Sequence, residues 1–138
     1  MCSSDLCESV EKWVSISSVV KVSDDDLAWL YPDTDQIEIA KRWIAGGVRV
    51  VVITKGAEGL IGITADGMVT APGEKVEVVD TIGAGDTVGA IIAEAVKVIG
   101  LSELHCATLM TVLEKAAHAA AITCSRKGAQ PPTARELN

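Results

Sequence analysis

The run Val48–Thr54 (VRVVVIT) constrains this chain more than any other segment, because it is almost wholly β-branched and follows directly on Gly46-Gly47. A strand that is apolar at successive positions is buried on both faces, and a helix feeding it predicts a parallel α/β sheet with helices packed over it. The feeder is Asp35–Ala45 (DQIEIAKRWIA), in which Ile39, Trp43 and Ile44 share one side at helical spacing and Gly46-Gly47 supplies the stop. Upstream, Val14–Val22 (VSISSVVKV) predicts a strand. Ser23-Asp24-Asp25-Asp26 predicts the capped start of a helix that ends near Tyr31-Pro32.

Downstream, Leu60–Thr64 and Met68–Ala71 flank Ala65-Asp66-Gly67, a hairpin signal, and Val76–Val79 predicts one more short strand. Thr81-Ile82-Gly83-Ala84-Gly85 is too rich in glycine for regular structure. After it come a small-residue helix from about Asp86 to Ile99, stopped by Gly100, and a second helix from Ser102, its expected cap, to about Thr123. Gly128–Pro132 closes the chain in a loop, and there is no internal repeat or low-complexity run.

At 138 residues, 49% apolar and 22% charged, the chain can build one hydrophobic core but not two. Its net charge of -7 excludes a sequence-independent grip on nucleic acid or an anionic membrane. The acid excess sits in residues 1–40, with nine acids against two bases; residues 41–138 hold ten of each and are free to accept a phosphate locally. No apolar run approaches a membrane span of roughly 20 residues, and no signal-peptide pattern opens the chain. Cys2, Cys7, Cys106 and Cys124 form no C-x-x-C pair and, with His105, no metal spacing, so reduced thiols and a cytoplasmic setting are expected. Met1–Leu6 (MCSSDL) is polar and unpatterned, and is also what the end of a common sequencing adaptor would encode. Residues 1–7 are therefore expected to be a non-native or disordered tail, with the natural chain beginning upstream.

The chemistry concentrates in Asp80-Thr81-Ile82-Gly83-Ala84-Gly85-Asp86, between a strand and a helix. Three successive small residues let the backbone approach a ligand closely, and their N–H groups at a helix N-terminus form a nest for an anion. Asp86 would repel a phosphate held there unless another group stood between them. A carboxylate that takes a proton from a hydroxyl, while the nest holds the phosphoryl group the hydroxyl attacks, fits both features. The bland alternative is that Asp86 is an ordinary N-cap and the glycines an ordinary tight turn. A dinucleotide-binding unit fits less well: Gly83, Gly85 and Gly89 give G-x-G-x-x-x-G, and a helix rather than a second strand follows. No G-x-x-x-x-G-K-[ST] is present.

D-T-x-G-A-G-D followed by a small-residue helix resembles the second signature of the ribokinase-like (PfkB-type) carbohydrate kinases, and every position from Asp80 to Asp86 agrees. Thr54-Lys55-Gly56-Ala57-Glu58-Gly59 resembles that family's T-x-G-x-x-G nucleotide turn. Ser23 to Asp26 stands where the family carries N-x-x-E, and Thr123–Pro132 (TCSRKGAQPP) is similar to the tail of bacterial fructokinases. The resemblance implies a three-layer α/β, Rossmann-like fold with a partly parallel sheet, residues 8–138 being the C-terminal, nucleotide-binding part of one kinase domain. It makes Asp86 the catalytic base and the N–H groups of Gly83, Ala84 and Gly85 the anion hole. ATP would lie along Ser23, Thr54, Lys55, Gly56 and Gly59, with Asp26 helping to hold Mg²⁺ through water. Asp80, the Ile82 carbonyl and Gly128 would border a monovalent cation such as K⁺, although Pro132 stands where ribokinases often carry serine. Ala117 falls where many relatives have asparagine beside the adenine, with His118, expected to be a partly buried helix residue, next to it. The implied partners are a small sugar and ATP, with homo-oligomers expected and neither nucleic acid nor membrane. The half that supplies most sugar contacts in the family has no counterpart here, so the chain is expected to be inactive alone; a non-catalytic nucleotide-binding fragment or pseudo-kinase is the competing expectation.

Overall fold

The structure is a computed structural model that describes residues 5–138. A four-stranded sheet runs in the order β1 (Val19–Ser23), β2 (Val50–Thr54), β3 (Gly59–Thr64), β4 (Gly67–Pro72). β1 and β2 are parallel, with Ser23 beside Thr54, and the other two pairs are antiparallel. Helices cover both faces: α1 (Asp5–Ser15), α2 (Asp24–Leu30) and α3 (Gln36–Ala45) on one, α4 (Ala84–Val98) and α5 (Cys106–Cys124) on the other. This is the three-layer, partly parallel arrangement expected.

β2 explains why the sheet takes helices on both sides. Val50 and Val52 face α4 and α5, Val51 and Ile53 face α1 to α3, and all four are 0% exposed. Each such side chain contributes roughly 1.5–3 kcal/mol relative to exposure, so neither face can be left to water. On β3, a Cβ at Gly62 would stand 2.7 Å from Leu109 Cδ2 and 2.8 Å from Leu113 Cδ1. That bare backbone is what lets α5 press against the sheet.

Caps account for much of the helix placement. Ser23 Oγ accepts from Asp26 N at the start of α2, as its sequence predicts, and Asp35 Oδ1 accepts from Ile37 N and Glu38 N at the start of α3. Three local expectations fail. Val14 and Ser15 close α1 instead of opening a strand, because Cys7, Val10 and Val14 recur at helical spacing and pack into the α2–α3 layer; β1 starts at Val19. Val76–Val79 pairs with no strand: the segment is exposed and docks by its end alone, Val79 N donating to the Cys124 carbonyl at 2.8 Å. Ser102 lies in a 3-10 turn, Leu101–Glu103, and α5 begins at Cys106, whose N–H donates to Asp66 Oδ2 of the β3–β4 turn at 3.2 Å. A residue from another element supplies the cap that Ser102 was expected to provide.

Asp5, Leu6 and Cys7, assigned by sequence to the tail, belong to α1, and residues 1–4 lie outside the described residues. Cys7 is disulfide-bonded, against the expectation of reduced thiols throughout, whereas Cys106 and Cys124 are free. Among the described residues no helix is long and apolar enough to cross a membrane.

Candidate active site

Parallel pairing puts the C-terminal ends of β1 and β2 side by side, the edge of an open α/β sheet where ligands bind. Ser23 and Asp26 follow β1, and Thr54, Lys55 and the 3-10 turn Gly56–Glu58 follow β2. The Ser23 hydroxyl is committed to capping α2, whereas the Asp26 carboxylate is exposed and without a partner among the described residues. Lys55 Nζ lies 3.1 Å from Glu58 Oε2, an open ion pair that a stronger anion would displace at little cost. Lys55 N donates to the Gly59 carbonyl, which closes the turn.

The first turn of α4 carries the D-T-I-G-A-G-D motif. Gly83 is its N-cap at φ 83°, a left-handed conformation, and a Cβ there would stand 2.9 Å from Ala129 Cβ. Glycine is thus required both by the backbone and by the C-terminal loop pressed on it. Thr87 N donates to the Gly83 carbonyl, and Ala84 N reaches the Thr81 carbonyl at 3.3 Å. Among the described residues nothing accepts from the N–H groups of Gly83, Gly85 and Asp86. Asp86 is exposed, and among the described residues its carboxylate has neither a hydrogen bond nor an ion pair. Three open donors at the positive end of a helix, with a free carboxylate on the same turn, can hold a phosphoryl group and receive a proton beside it.

Asp80 locks this turn to the end of the chain. Its Oδ1 accepts from Ile82 N and its Oδ2 from Gly128 N, each at 3.0 Å. The Ile82 N–H first, and then that of Gly128, hold the carboxyl below the usual carboxylate range. Asp80 N and Val79 N both donate to the Cys124 carbonyl, so strand-like segment, turn and tail meet at the end of α5. Ala117 is buried among α4 and α5, and His118 is half-exposed with Nδ1 2.7 Å from Glu74 Oε2.

Lys21, on β1, is the site residue that sequence reasoning missed. A Cβ at Gly85 would stand 3.1 Å from Lys21 Nζ, and one at Gly89 would stand 4.0 Å from its Cδ. The lysine stem therefore runs along the glycine-lined flank of α4 and brings its ammonium to the open N–H groups. The available signal was one charged residue in an otherwise apolar strand, VVKVS. The structure gathers Ser23, Asp26, Thr54 and Lys55 at one sheet end, and Gly83 to Asp86 with Asp80, Ile82 and Gly128 around the start of α4, with Lys21 reaching from β1 to that turn. A surface cavity of about 650 Å³ lies instead between α1 and the α2–α3 layer. Its central acid is already occupied, since Glu11 Oε1 accepts from Arg42, Trp43 Nε1 and the Tyr31 hydroxyl. Burial, and then the Glu11 carboxylate, push the Tyr31 hydroxyl well above the usual phenol range.

A parallel strand pair, a glycine turn after β2 and a glycine-rich helix start with open N–H groups and an exposed carboxylate characterise this three-layer α/β fold. Residues 2–136 match the pfkB family carbohydrate kinases, and the chain belongs to that family. It is 46% identical over 92 residues to a fructokinase of Rhizobium leguminosarum bv. trifolii, covering 67% of this chain and 28% of that protein. Its fold is similar to aminoimidazole riboside kinase from Salmonella enterica complexed with aminoimidazole riboside and an ATP analogue, with a TM-score of 0.79, 29% identity, and coverage of 97% of this chain and 45% of that one. Fructokinase from Vibrio cholerae O395, in a form with fructose, ADP and calcium ion bound, gives a TM-score of 0.81 at 26% identity over 96% of this chain and 44% of that one. The chain spans less than half the length of each of these relatives.

Proposed function

We propose that this chain is the nucleotide-binding half of an ATP-dependent sugar kinase of fructokinase type. The observation that carries the reading is the unpartnered Asp86 carboxylate on the same helical turn as the open N–H groups of Gly83, Gly85 and Asp86. ATP lies across Thr54–Gly59 and Gly83–Asp86, with the Lys21 and Lys55 ammonium groups at its phosphates. Asp86 takes the proton of the attacking sugar hydroxyl as its oxygen bonds to the γ-phosphorus; the bond from that phosphorus to the β–γ bridging oxygen breaks, and ADP leaves. The donor set fits Mg²⁺, which takes one or two carboxylates and completes its shell with water and phosphate oxygens. Asp26 would hold it through water, and the ion would neutralise charge on the β- and γ-phosphates. Asp80, the Ile82 carbonyl and Gly128 are the groups a monovalent cation would take.

Fructose is the favoured acceptor, supported by the tail Thr123–Pro132 and by the likeness to fructokinases. In an upstream-extended parent enzyme, Asp86→Asn should lower kcat by about 10²–10⁴-fold while changing ATP affinity much less, because the side chain keeps its size and loses only its proton affinity. Near-normal kcat would reduce Asp86 to an acidic residue in a helix first turn. On the same enzyme kcat/KM for fructose should lead ribose and 2-keto-3-deoxygluconate by about tenfold or more. The chain's coverage of less than half of its relatives favours a second reading for the polypeptide by itself, a nucleotide binder without turnover. Sugar-dependent ADP release by the 138-residue chain, abolished by Asp86→Ala, would remove that reading.

A further inference from the structure

Two hydroxyls are buried together where α5 passes the first turn of α4. Thr87 is 5% and Thr123 0% exposed, and their Oγ1 atoms stand 2.8 Å apart. Thr87 Oγ1 is also 2.9 Å from the Gly83 carbonyl oxygen, and Thr123 Oγ1 is 3.1 Å from that of Ala119. A hydroxyl donates one proton, so two protons serve three contacts. Two arrangements keep the short hydroxyl contact bonded. In the first, Thr123 donates to Thr87 and Thr87 to Gly83; in the second, Thr87 donates to Thr123 and Thr123 to Ala119.

The two arrangements differ at one peptide of the anion-holding turn. The Gly83 carbonyl shares its peptide unit with Ala84 N–H and already accepts from Thr87 N at 2.9 Å. A second donor to that carbonyl polarises the peptide and makes Ala84 N–H a stronger donor in its turn. Among the described residues Ala84 N–H is held by a 3.3 Å contact to the Thr81 carbonyl alone, which a bound anion can replace.

We propose that Thr87 and Thr123 form a switchable hydroxyl pair in which Thr87 is a positioning residue that polarises Ala84 N–H through Gly83, and that an anion on the turn selects the first arrangement. The proposal rests on the reading of Gly83–Asp86 as the phosphoryl-holding turn. Removing the Thr87 hydroxyl deletes the second donor to Gly83. Removing the Thr123 hydroxyl leaves Thr87 with Gly83 as its acceptor and locks the first arrangement. Two buried hydroxyls in contact should therefore have opposite effects on an anion, which a purely structural pair would not.

The test uses the 138-residue chain and its Thr87→Val, Thr87→Ser and Thr123→Val variants, with Thr87→Ala standing in if Thr87→Val does not fold. Each is titrated with ATP·Mg²⁺ and with inorganic phosphate by amide NMR, alongside its melting temperature and the ligand-free Ala84 amide shift. Thr87→Val should bind about two- to threefold more weakly, the share expected from weakening one charge-assisted hydrogen bond by about a fifth. Its Ala84 amide proton should move upfield, and Thr87→Ser should restore both values. Thr123→Val should bind at least as tightly as the parent chain despite a lower melting temperature. Equal weakening of Thr87→Val and Thr123→Val in step with their melting temperatures, or an Ala84 shift indifferent to Thr87→Val, overturns the proposal. If neither ligand binds the parent chain, the nucleotide reading fails, and the Ala84 shift alone decides the hydroxyl pair.

Discussion

Lys21 and Asp80 act at the same turn from opposite sides, and each can be tested by itself. Lys21 carries its charge to the turn on a stem that Gly85 and Gly89 leave room for. Lys21→Met keeps much of that stem and removes the ammonium, so ATP binding should weaken about tenfold or more while the melting temperature stays close to that of the parent chain. Equal ATP affinities in calorimetry would show that the lysine only packs. Asp80 and Glu136 make the C-terminal loop acid-sensitive. Amides of Ile82 and Gly128 hold Asp80 low, and Thr133 N–H followed by Arg126 brings Glu136 to about 2. A carboxyl whose folded pKa lies below its unfolded value of about 4 stabilises the fold above that pH, and loses this as pH falls through the folded value. Between about pH 4 and pH 2, hydrogen-exchange protection at Gly128 and Thr133 should fall before protection in β2, and Asp80→Asn should bring the Gly128 loss to neutral pH. Simultaneous loss at all three places would mean the loop has no transition of its own.

At the scale of elements, what the sequence could show was decided by whether the partner lay nearby in the chain. β2, α3 and the β3–β4 hairpin were legible because local patterns dictate them: a doubly buried apolar run, helical spacing of Ile39, Trp43 and Ile44 with a glycine stop, and a short turn between alternating segments. The motif at Asp80–Asp86 was legible for the same reason. α5 was displaced because its cap comes from Asp66, forty positions away, and Val76–Val79 alternates like a strand but pairs with none of the four strands, being held instead by Val79 N on the Cys124 carbonyl. Lys21 was invisible because its role depends on two glycines in α4. Gly62 shows how strict such long-range fits are. Gly62→Ala should destabilise the fold by about 1–3 kcal/mol through overpacking, and Leu113→Ala by about 2–5 kcal/mol through the cavity it leaves. Together they should cost clearly less than the sum, because the new methyl enters the space the leucine vacates. Additive losses in denaturant unfolding would separate Gly62 from α5.

For the whole molecule, the sheet is open at β1. Among the described residues Val19–Ser23 pairs only with β2, and the exposed apolar residues Trp13, Ile16, Trp29, Val78 and Ile82 add uncovered surface. An unpaired strand edge is a template for further strands, and apolar surface of this kind promotes association. The isolated chain should therefore self-associate as its concentration rises, with a mass above monomer in light scattering; a constant monomer mass would show that the edge is protected. The sheet also has its strands in space in the order in which they occur in the chain. Among these four strands β1 leaves the ribosome before β2, after which β3 and β4 can each zip onto a neighbour already in place. Within this set no later strand has to be threaded between two earlier ones, so these four can add one after another at the pace of translation.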